Sequence, residues 1–570
     1  MSKIAFVLLS AFFSAFTVAA APPSTPPEPV YIVLYSRFYD HSHPRVLDER
    51  LQRLLPLLEK LNARYPKSGI SALCQFSGTT SEVLAEENSG LHLVDKLKDF
   101  SHRNLVDIGY TGEEEPSYLY RPKANLLLAD TPEAWWAAKA EATERFLTDF
   151  KNPVTGLPVP GLSGGLKRTQ EVFGDIDFIS GVSTKLSGDS PASHEIRKFA
   201  PNAVLLGMPL GDPKRGIEGY AVSADRFSRG MSPDVTESPE LFWQDGFLRL
   251  SDVSYSESKP RSTDDDPDAL KKAFKGLDRS RVRVIRLEIA GYRRYLKTRP
   301  DGSLVVDPME WLYFHPDDPM IPLNMHAMLT QTDIEASYKR EEETLKWLLE
   351  EFLPANPGSR FISIHELAAM AEPGPAHVSA SQLKDLASSL SEHFAKIPME
   401  PPAYVKGGSN YYSLAETFEL LAASLAKMNQ TGSLPESVPY APMYGPYTLP
   451  NDSGAGKGSV PVSAVIKTAS EIAPRLANSA WKRLPDNSVP EFFEVNSLHL
   501  NAAQLLRLMA MAYLDPSPEK MLALGPVAFE SQATFMFPKN TATIDQGNSW
   551  TFKPAPLRIE TPALATPGAP

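Results

Sequence analysis

The sequence has little that could cross-link it or hold it in a membrane. Its single cysteine, Cys74, cannot form an internal disulfide, and its apolar surroundings in ISALCQF favour a buried core position. Beyond the amino terminus there is no apolar run of about 18 residues, so no later membrane span is expected. A basic excess is also missing. The net charge of -12 argues against a nucleic-acid backbone as the main partner, because such binding needs a basic surface.

The amino terminus has the pattern of a secretory signal over residues 1–20. Lys3 supplies the positive charge, Ile4–Phe16 the apolar segment, and Val18–Ala20 the small residues of a cleavage site. A membrane anchor is the alternative, but the apolar segment is short for a span and proline-rich sequence follows at once. We therefore expect export to the periplasm or to the outside of the cell.

The remaining chain has ordinary globular composition, with 42% hydrophobic and 22% charged residues in 570, which indicates two to four domains. A strand at Tyr31–Ser36 precedes a helix at Val46–Tyr65, in which Pro56 predicts a kink or a break. Further strands are predicted at Ile70–Phe76, Leu105–Ile108, Phe178–Ser180, Ala203–Gly207, Arg281–Ile289 and Arg360–Ile364. Strands that alternate with helices predict a parallel sheet or barrel.

Two stretches of this first domain predict loops. In Pro153–Gly165, the segment Gly161–Gly165 matches the G-x-S-x-G pattern of serine hydrolases. A nucleophile elbow requires a strand before it, and prolines stand there instead, so a plain loop is favoured. Asp212–Arg281 is polar and irregular, and we expect it at the rim of the barrel. After it, the capping box Thr332-x-x-Glu335 predicts the start of a long helix.

The residues after the first strand form the clearest candidate site. Asp40, His41 and His43 combine a carboxylate with imidazoles, the ligand types of zinc or another first-row divalent ion. On an extended segment His41 and His43 lie on one side and Asp40 on the other, so all three converge only if a turn intervenes. The alternative is a helix cap and turn before Val46.

Three places in this domain resemble the polysaccharide deacetylases. They are Tyr31–Ser36 with Asp40, Val106–Gly112 and Phe361–Leu367, within a resemblance that covers roughly Val30–Met370. The resemblance implies a distorted seven-stranded β/α barrel. It also implies a bound divalent metal, with removal of acetyl groups from N-acetylated sugars as the activity.

The sequence departs from the family's metal motif. His41 stands where the family has the second aspartate of a pair, and Thr111 and Glu115 stand where it has two histidines. The resemblance therefore carries over only Asp40, as general base or metal ligand. Amide hydrolysis also needs an acid for the leaving amine. His315 and His326 are the candidates. The His-Pro-Asp-Asp setting of His315 is also ordinary turn chemistry, and the neighbours Met325 and Met328 favour a packed position for His326.

The chain changes character near Pro398–Pro402, beyond which helices and turns predominate with few strand signals. Phe418–Met428 and Val465–Leu476 each form an apolar helical face, and the similarity of the segments that follow them suggests a duplicated module. A third helix is predicted at Asn501–Tyr513. These segments resemble pseudomurein-binding repeats, which are short helical units that bind cell-wall polymer and have a central Leu-Pro-x-x-Val turn. Leu434–Val438 fits the spacing of that turn.

Together these patterns predict an α/β protein in which a distorted (β/α) barrel of the polysaccharide-deacetylase type is followed by a smaller, mainly α-helical carboxyl-terminal domain. The barrel is assigned to residues 21–395 with insertions at about 151–280, the helical domain to 396–525 and a Pro/Thr-rich tail to 526–570.

Two functions are compatible with this organisation. The first is an exported metal-dependent hydrolase that deacetylates an N-acetylated polysaccharide, with Asp40 and His315 catalytic and a divalent metal, zinc in the first instance, on Asp40, His41 and His43. The second is a catalytically degenerate protein that binds glycan or cell envelope, with Trp135, Trp136, Trp243 and Trp311 as stacking or core residues. In both, the expected partner is a polysaccharide or cell-wall glycan.

Overall fold

The computed structural model describes a mixed α/β protein built on one curled sheet. It covers residues 27–38, 44–86, 91–111, 165–180, 190–207, 221–222, 240–251, 267–277, 279–289, 297–298, 304–305, 331–371, 373–446, 457–477, 488–528, 535–536 and 550–557. In this part of the chain, no helix is both long enough and apolar enough to cross a membrane.

The strands, in chain order, are β1 (Val30–Phe38), β2 (Ala72–Phe76), β3 (Val106–Thr111), β4 (Phe178–Ser180), β5 (Val204–Gly207), β6 (Ala221–Val222), β7 (Leu241–Gln244), β8 (Phe247–Ser251), β9 (Arg283–Glu288), β10 (Lys297–Thr298), β11 (Leu304–Val305), β12 (Arg360–Phe361), β13 (His377–Ser379), β14 (Val405–Gly407), β15 (Asn410–Tyr412), β16 (Ser437–Pro439), β17 (Ser459–Pro461), β18 (Phe492–Val495), β19 (Leu498–Asn501), β20 (Met521–Ala523), β21 (Phe535–Met536) and β22 (Lys553–Pro554).

The helices are α1 (Pro44–Arg64), α2 (Gly78–Glu86), α3 (Leu93–His102), α4 (Leu166–Phe173), α5 (Ser190–Phe199), α6 (Pro267–Lys275), α7 (Gln331–Trp347), α8 (Ile364–Met370), α9 (Ala380–Lys396), α10 (Leu414–Thr431), α11 (Val462–Ala477) and α12 (Ala502–Leu514). A π-helical turn at Leu348–Phe352 and a short helix at Leu353–Ala355 continue α7.

The central sheet runs in the order β9-β1-β2-β3-β4-β5-β8-β7-β22, with short β12 beside the start of β1. From β9 to β8 all neighbours are parallel, whereas β7 and β22 join antiparallel at one end. Each strand predicted for this domain is present, although the last is only Arg360–Phe361 because Ser363 already caps α8. The parallel arrangement predicted from the β-α-β order is confirmed.

The two faces of the sheet differ because successive side chains of a strand point to opposite sides. On the outer face, Ile32, Leu34 and Cys74 belong to a large core that helices α1–α7 cover. Cys74 is fully buried, as predicted, and burial raises the pKa of its thiol well above the usual range. On the inner face, Tyr31 and Val33 belong to a smaller apolar cluster to which α8 contributes.

The sheet is curled so strongly that side chains of distant strands touch across the inner face. The Arg286 guanidinium of β9 lies 5.4 Å from the ring centre of Phe178 in β4. In a flat sheet these strands would be about 19 Å apart. The ends of the sheet also approach each other. Glu240, next to β7, accepts hydrogen bonds from Arg283 Nε at 2.8 Å and from the Val284 backbone amide at 3.3 Å in β9.

Two local predictions for this domain require correction. Of the two outcomes predicted for Pro56, a kink or a break, the break is wrong: helix α1 continues through this residue, which lies on the exposed side, where water can reach the carbonyl left without its helical donor. The segment Asp212–Arg281 was predicted irregular, yet it contains the buried hairpin β7–β8 and helix α6. The hairpin turns at Asp245–Gly246, which both have positive φ, the geometry of an Asp-Gly type I′ turn.

The carboxyl-terminal part contains two successive units of the same order, strand-helix-hairpin-helix-strand. The first comprises β13, α9, β14–β15, α10 and β16, and the second β17, α11, β18–β19, α12 and β20. In each unit the first and last strands pair antiparallel. The eight strands of these units were not predicted, because strands of three or four residues are too short to show alternation. The helices compared in the sequence, around Phe418 and Val465, occupy different places in their units.

Residues 550–557 are not tail-like, although they lie in the predicted Pro/Thr-rich tail. Trp550, Phe552 and Ala555 are fully buried, and β22 adds to the free edge of β7. The Lys553 ammonium reaches the other half of the protein, where it donates to the Glu416 carboxylate of α10 at 2.8 Å. This segment therefore joins the curled sheet to the first carboxyl-terminal unit.

Candidate functional site

The side chains predicted to form the site are Asp40, His41, His43 and His315, and all of them lie outside the described residues. The structure therefore neither brings them together nor separates them. It does describe the strand that precedes the first three, which ends at Phe38 beside β2. In the described ranges, no three His, Cys, Asp or Glu side chains are grouped as metal ligands would be. Trp243, one of the proposed stacking residues, packs against the inner apolar cluster.

A row of inner-face residues crosses the sheet close to the carboxyl ends of the parallel strands. The strand register places Arg37 opposite Gln75, Gln75 opposite Gly109, and Gly109 opposite Phe178. Gln75 and Phe178 are fully buried. In α/β barrels and open parallel sheets, ligands bind at this end of the strands.

Gly109 allows the side chain of Gln75 to lie across β3. A Cβ atom at position 109 would come within 2.9 Å of Gln75 Cγ. With that space free, Ser180 Oγ of β4 donates a hydrogen bond to Gln75 Oε1 of β2, although a whole strand lies between them. Thr111 stands directly opposite Ser180 in the register. Gln75, whose side chain fills the space over Gly109, therefore lies with Thr111 and Ser180 on the inner face, and we call these three residues the polar triad.

Two atoms of the polar triad have no hydrogen-bond partner. Gln75 Nε2 and Thr111 Oγ1 are both buried and unpaired. The hydrogen bond from Ser180 engages the amide oxygen of Gln75, so the free atom of that side chain is its nitrogen, which can only donate. Nearly all buried polar groups in proteins are paired. Two unpaired groups on the neighbouring strands β2 and β3 therefore indicate a candidate ligand-binding site.

A guanidinium group, that of Arg286, lies near the polar triad on the β9 side. The Arg286 guanidinium lies 4.2 Å from the ring centre of Tyr35 and also contacts Phe178, two residues before Ser180. It is 5% exposed, and stacking on two aromatic faces holds its position. A fixed guanidinium near the triad favours a ligand atom that carries partial negative charge, such as a carbonyl oxygen.

The amino-terminal half of the inner face is filled. Ile364 and Leu367 of α8 belong to the inner apolar cluster, and the Asp107 carboxylate accepts a hydrogen bond from the Ile364 backbone amide at 2.6 Å. Burial, with a contribution from the nearby Asp177 carboxylate, raises the pKa of Asp107 to about 7. The inner face thus has an apolar floor with α8 at one end and polar residues at the other.

Sequence reasoning missed Gln75 and Ser180, which it treated only as parts of predicted strands. A signal was present, because each is a polar residue near the carboxyl end of an otherwise apolar strand, in ALCQF and FIS. Thr111 was singled out as a departure from the deacetylase pattern. The structure places it at the end of β3, opposite Ser180 and two residues beyond Gly109.

Comparisons with known proteins give no family. No family model matches the chain, and no curated protein does. Among solved structures, a 4-alpha-glucanotransferase from Thermococcus litoralis is similar at 10% sequence identity and a TM-score of 0.29, over 65% of this chain. The match spans 45% of that enzyme's chain. This degree of likeness supports no inference about either fold or function.

Proposed function

We propose that this protein is an exported, metal-dependent hydrolase that removes acetyl groups from an N-acetylated polysaccharide. The observation that carries the proposal is the polarity of the inner face. Buried, partly unpaired polar residues lie at the carboxyl ends of the parallel strands, and α8 closes the opposite end. Strand β1 belongs to this sheet and precedes Asp40 by two residues. A site at this end is the usual arrangement for barrel enzymes.

The metal centre of this proposal consists of Asp40, His41 and His43. One carboxylate and two imidazoles are a chemically suitable donor set for zinc. When bound, the ion would polarise the acetamido carbonyl and lower the pKa of an attacking water. Asp40 would accept a proton as general base or hold the metal, and His315 would protonate the leaving amine. The polar triad lies on the sheet from which β1 leads to these residues.

The resemblance to polysaccharide deacetylases supports the same reading. Phe361–Leu367 resembles that family's closing strand and helix, and in this protein β12 pairs parallel with β1 and is followed by α8. The carboxyl-terminal segments that resemble pseudomurein-binding repeats, such as the one with Leu434–Val438, would bring the enzyme to a cell-wall glycan. The proposed place of action is the periplasm or the outside of the cell.

A second candidate function is glycan binding without catalysis. One observation favours it: Thr111, which stands where the resemblance expects a metal histidine, ends β3 beside the neutral residues Gln75 and Ser180. Neutral amides and hydroxyls are typical of sites that bind sugars by hydrogen bonds.

Metal content and acetate release distinguish the two functions. The full chain is purified after growth with zinc, and bound metal and acetate released from a chitin-type oligosaccharide are measured for the natural protein and Asp40→Ala. The control is Asp99→Ala, which changes an exposed carboxylate paired with Arg103. For a hydrolase we expect about one metal per chain and acetate release, both lost in Asp40→Ala and kept in the control. Oligosaccharide binding without metal or acetate would leave only the second function.

A further inference from the structure

The polar triad has the properties of a binding site for one uncharged oxygen atom. Ser180 fixes the orientation of the Gln75 amide, so Gln75 Nε2 and Thr111 Oγ1 are left as hydrogen-bond donors. Neither side chain carries a charge, and Arg286 adds a positive field from the side. A carbonyl oxygen could accept hydrogen bonds from both donors.

Stability alone does not account for these residues. A buried polar group without a partner costs about 1–3 kcal/mol, and two such groups lie together here. Valine or methionine would fill the same space without that cost. An amide and a hydroxyl that stay unsatisfied on neighbouring strands lower the stability of the protein. Such a loss of stability is typical of a functional site.

We propose that Gln75 and Thr111 donate hydrogen bonds to the acetamido carbonyl oxygen of the bound glycan, with Ser180 as the positioning residue for Gln75. The identity of the ligand depends on the function proposed above, while the presence of an oxygen-binding subsite does not. The ligand enters from the carboxyl ends of the strands, because α8 and the inner apolar cluster occupy the other end. Gln75 and Thr111 thereby select acetylated over non-acetylated sugar units.

The experiment compares Thr111→Val and Gln75→Met with the matched control Thr344→Val. Thr344 Oγ1 is also buried and unpaired, but it lies in α7 on the outer side of the sheet. Binding of an N-acetylglucosamine oligomer and of the corresponding glucosamine oligomer is measured by calorimetry, and thermal unfolding by circular dichroism. Binding does not require turnover, so the result is independent of hydrolysis.

We expect both test variants to unfold at the natural protein's temperature or above it, because each loses an unsatisfied group. We also expect about a tenfold or greater loss of affinity for the acetylated oligomer, the effect of one lost hydrogen bond. Affinity for the glucosamine oligomer and the binding of the control remain unchanged. Ser180→Ala, which removes Ser180 Oγ, should lower the affinity for the acetylated oligomer less than Gln75→Met does, because the Gln75 amide is still present.

Three results would overturn the inference. The first is an unchanged affinity of both variants for the acetylated oligomer. The second is an equal loss of affinity for the acetylated and the glucosamine oligomer. The third is that the natural protein does not bind the acetylated oligomer. A clear fall in unfolding temperature in Thr111→Val would contradict it too, since it would mean that the hydroxyl has a structural partner. By contrast, selective binding without acetate release would reject hydrolysis and leave the subsite in place.

Discussion

Glu240 and Arg283 form a buried ion pair between the two ends of the curled sheet. Glu240 stands next to β7 and Arg283 begins β9, and in the sheet order these strands are separated by six others. The same carboxylate accepts from the Val284 backbone amide. In this way a side chain, and not a strand, satisfies a donor on the free edge of β9. An exposed strand edge is a template for unwanted pairing, so this contact also protects the sheet.

Replacing Glu240 with glutamine should destabilise the protein by about 3–5 kcal/mol, because the buried Arg283 guanidinium loses the charge of its carboxylate partner. Chemical denaturation followed by circular dichroism measures the free energy of unfolding. The control is Glu59→Gln, which removes an exposed partner of Arg103 and should change that free energy by less than about 1 kcal/mol. Equal effects of the two substitutions would show that the pair does not hold the ends of the sheet together.

A second buried pair connects residues 550–557 to the first carboxyl-terminal unit. Lys553 Nζ lies 2.8 Å and 2.9 Å from the two oxygens of Glu416 and 2.9 Å from Tyr440 OH. Glu416 also completes the capping box of α10 by accepting from the Ser413 backbone amide. The equivalent position in the second unit is Gln504, which caps α12 in the same way.

Lys553→Met should therefore lower the free energy of unfolding by about 3–5 kcal/mol, because Glu416 keeps its charge in a buried site after its cationic partner is removed. The double substitution Lys553→Met with Glu416→Gln should recover most of the loss, because glutamine caps the helix without a charge, as Gln504 does. Urea unfolding of the natural protein and the single and double variants gives the three values. A double variant as unstable as Lys553→Met would contradict this account.

The stability of the protein should fall with rising pH because of Asp107. Burial raises the pKa of this carboxyl to about 7 in the native state, against an ordinary value of 3.8. Between these pH values the unfolded chain has lost the proton that the native protein still holds. The contribution of Asp107 is therefore fully present below about pH 4 and is lost as pH rises through about 7.

Asp107→Asn tests this dependence, because asparagine does not titrate. We expect the unfolding free energy of Asp107→Asn relative to the natural protein to rise between pH 4 and pH 8, by an amount on the order of 3 kcal/mol. Titrating groups that do not interact with Asp107 are present in both proteins and cancel in the difference, whereas Asp177 interacts with Asp107 and contributes to it. A flat difference for Asp107→Asn would mean that the carboxyl is ionised throughout.

Gly69 marks the place where the start of β2 meets β12. Its φ is +66°, and a Cβ atom there would lie 2.6 Å from the Phe361 carbonyl oxygen. Gly432 at the end of α10 also has positive φ, +81°, but nothing lies within 4 Å of its Cβ position. Gly432→Ala should therefore lose only the backbone term of about 1–2 kcal/mol. Gly69→Ala should lower the free energy of unfolding clearly more than Gly432→Ala does, as measured by thermal and urea unfolding. Equal losses of unfolding free energy would show that the backbone around Phe361 moves to accept the added Cβ atom at little cost.

Local patterns predicted the parts of the fold whose signals lie within a few residues. The strands around Tyr31, Cys74 and Phe178 are apolar runs of the right length, and the β-α-β order was enough to predict parallel pairing. The β7–β8 hairpin was missed although Asp245–Gly246 is a typical hairpin turn, because the polar segments on both sides dominated the composition. The strands of the carboxyl-terminal units were missed because three residues cannot establish a period.

The sequence by itself determined the α/β class, the leading strands and the buried place of Cys74, since each depends on side chains that are neighbours along the chain. Only the tertiary structure decided that Gln75 meets Ser180 over Gly109, that Glu240 meets Arg283, and that residues 550–557 complete the sheet. The residues in these contacts are 43 to 312 positions apart in the chain. Gln75 and Ser180 are in addition separated by the strand β3. Their partners depend on strand order and on the curl of the sheet, which no local pattern encodes.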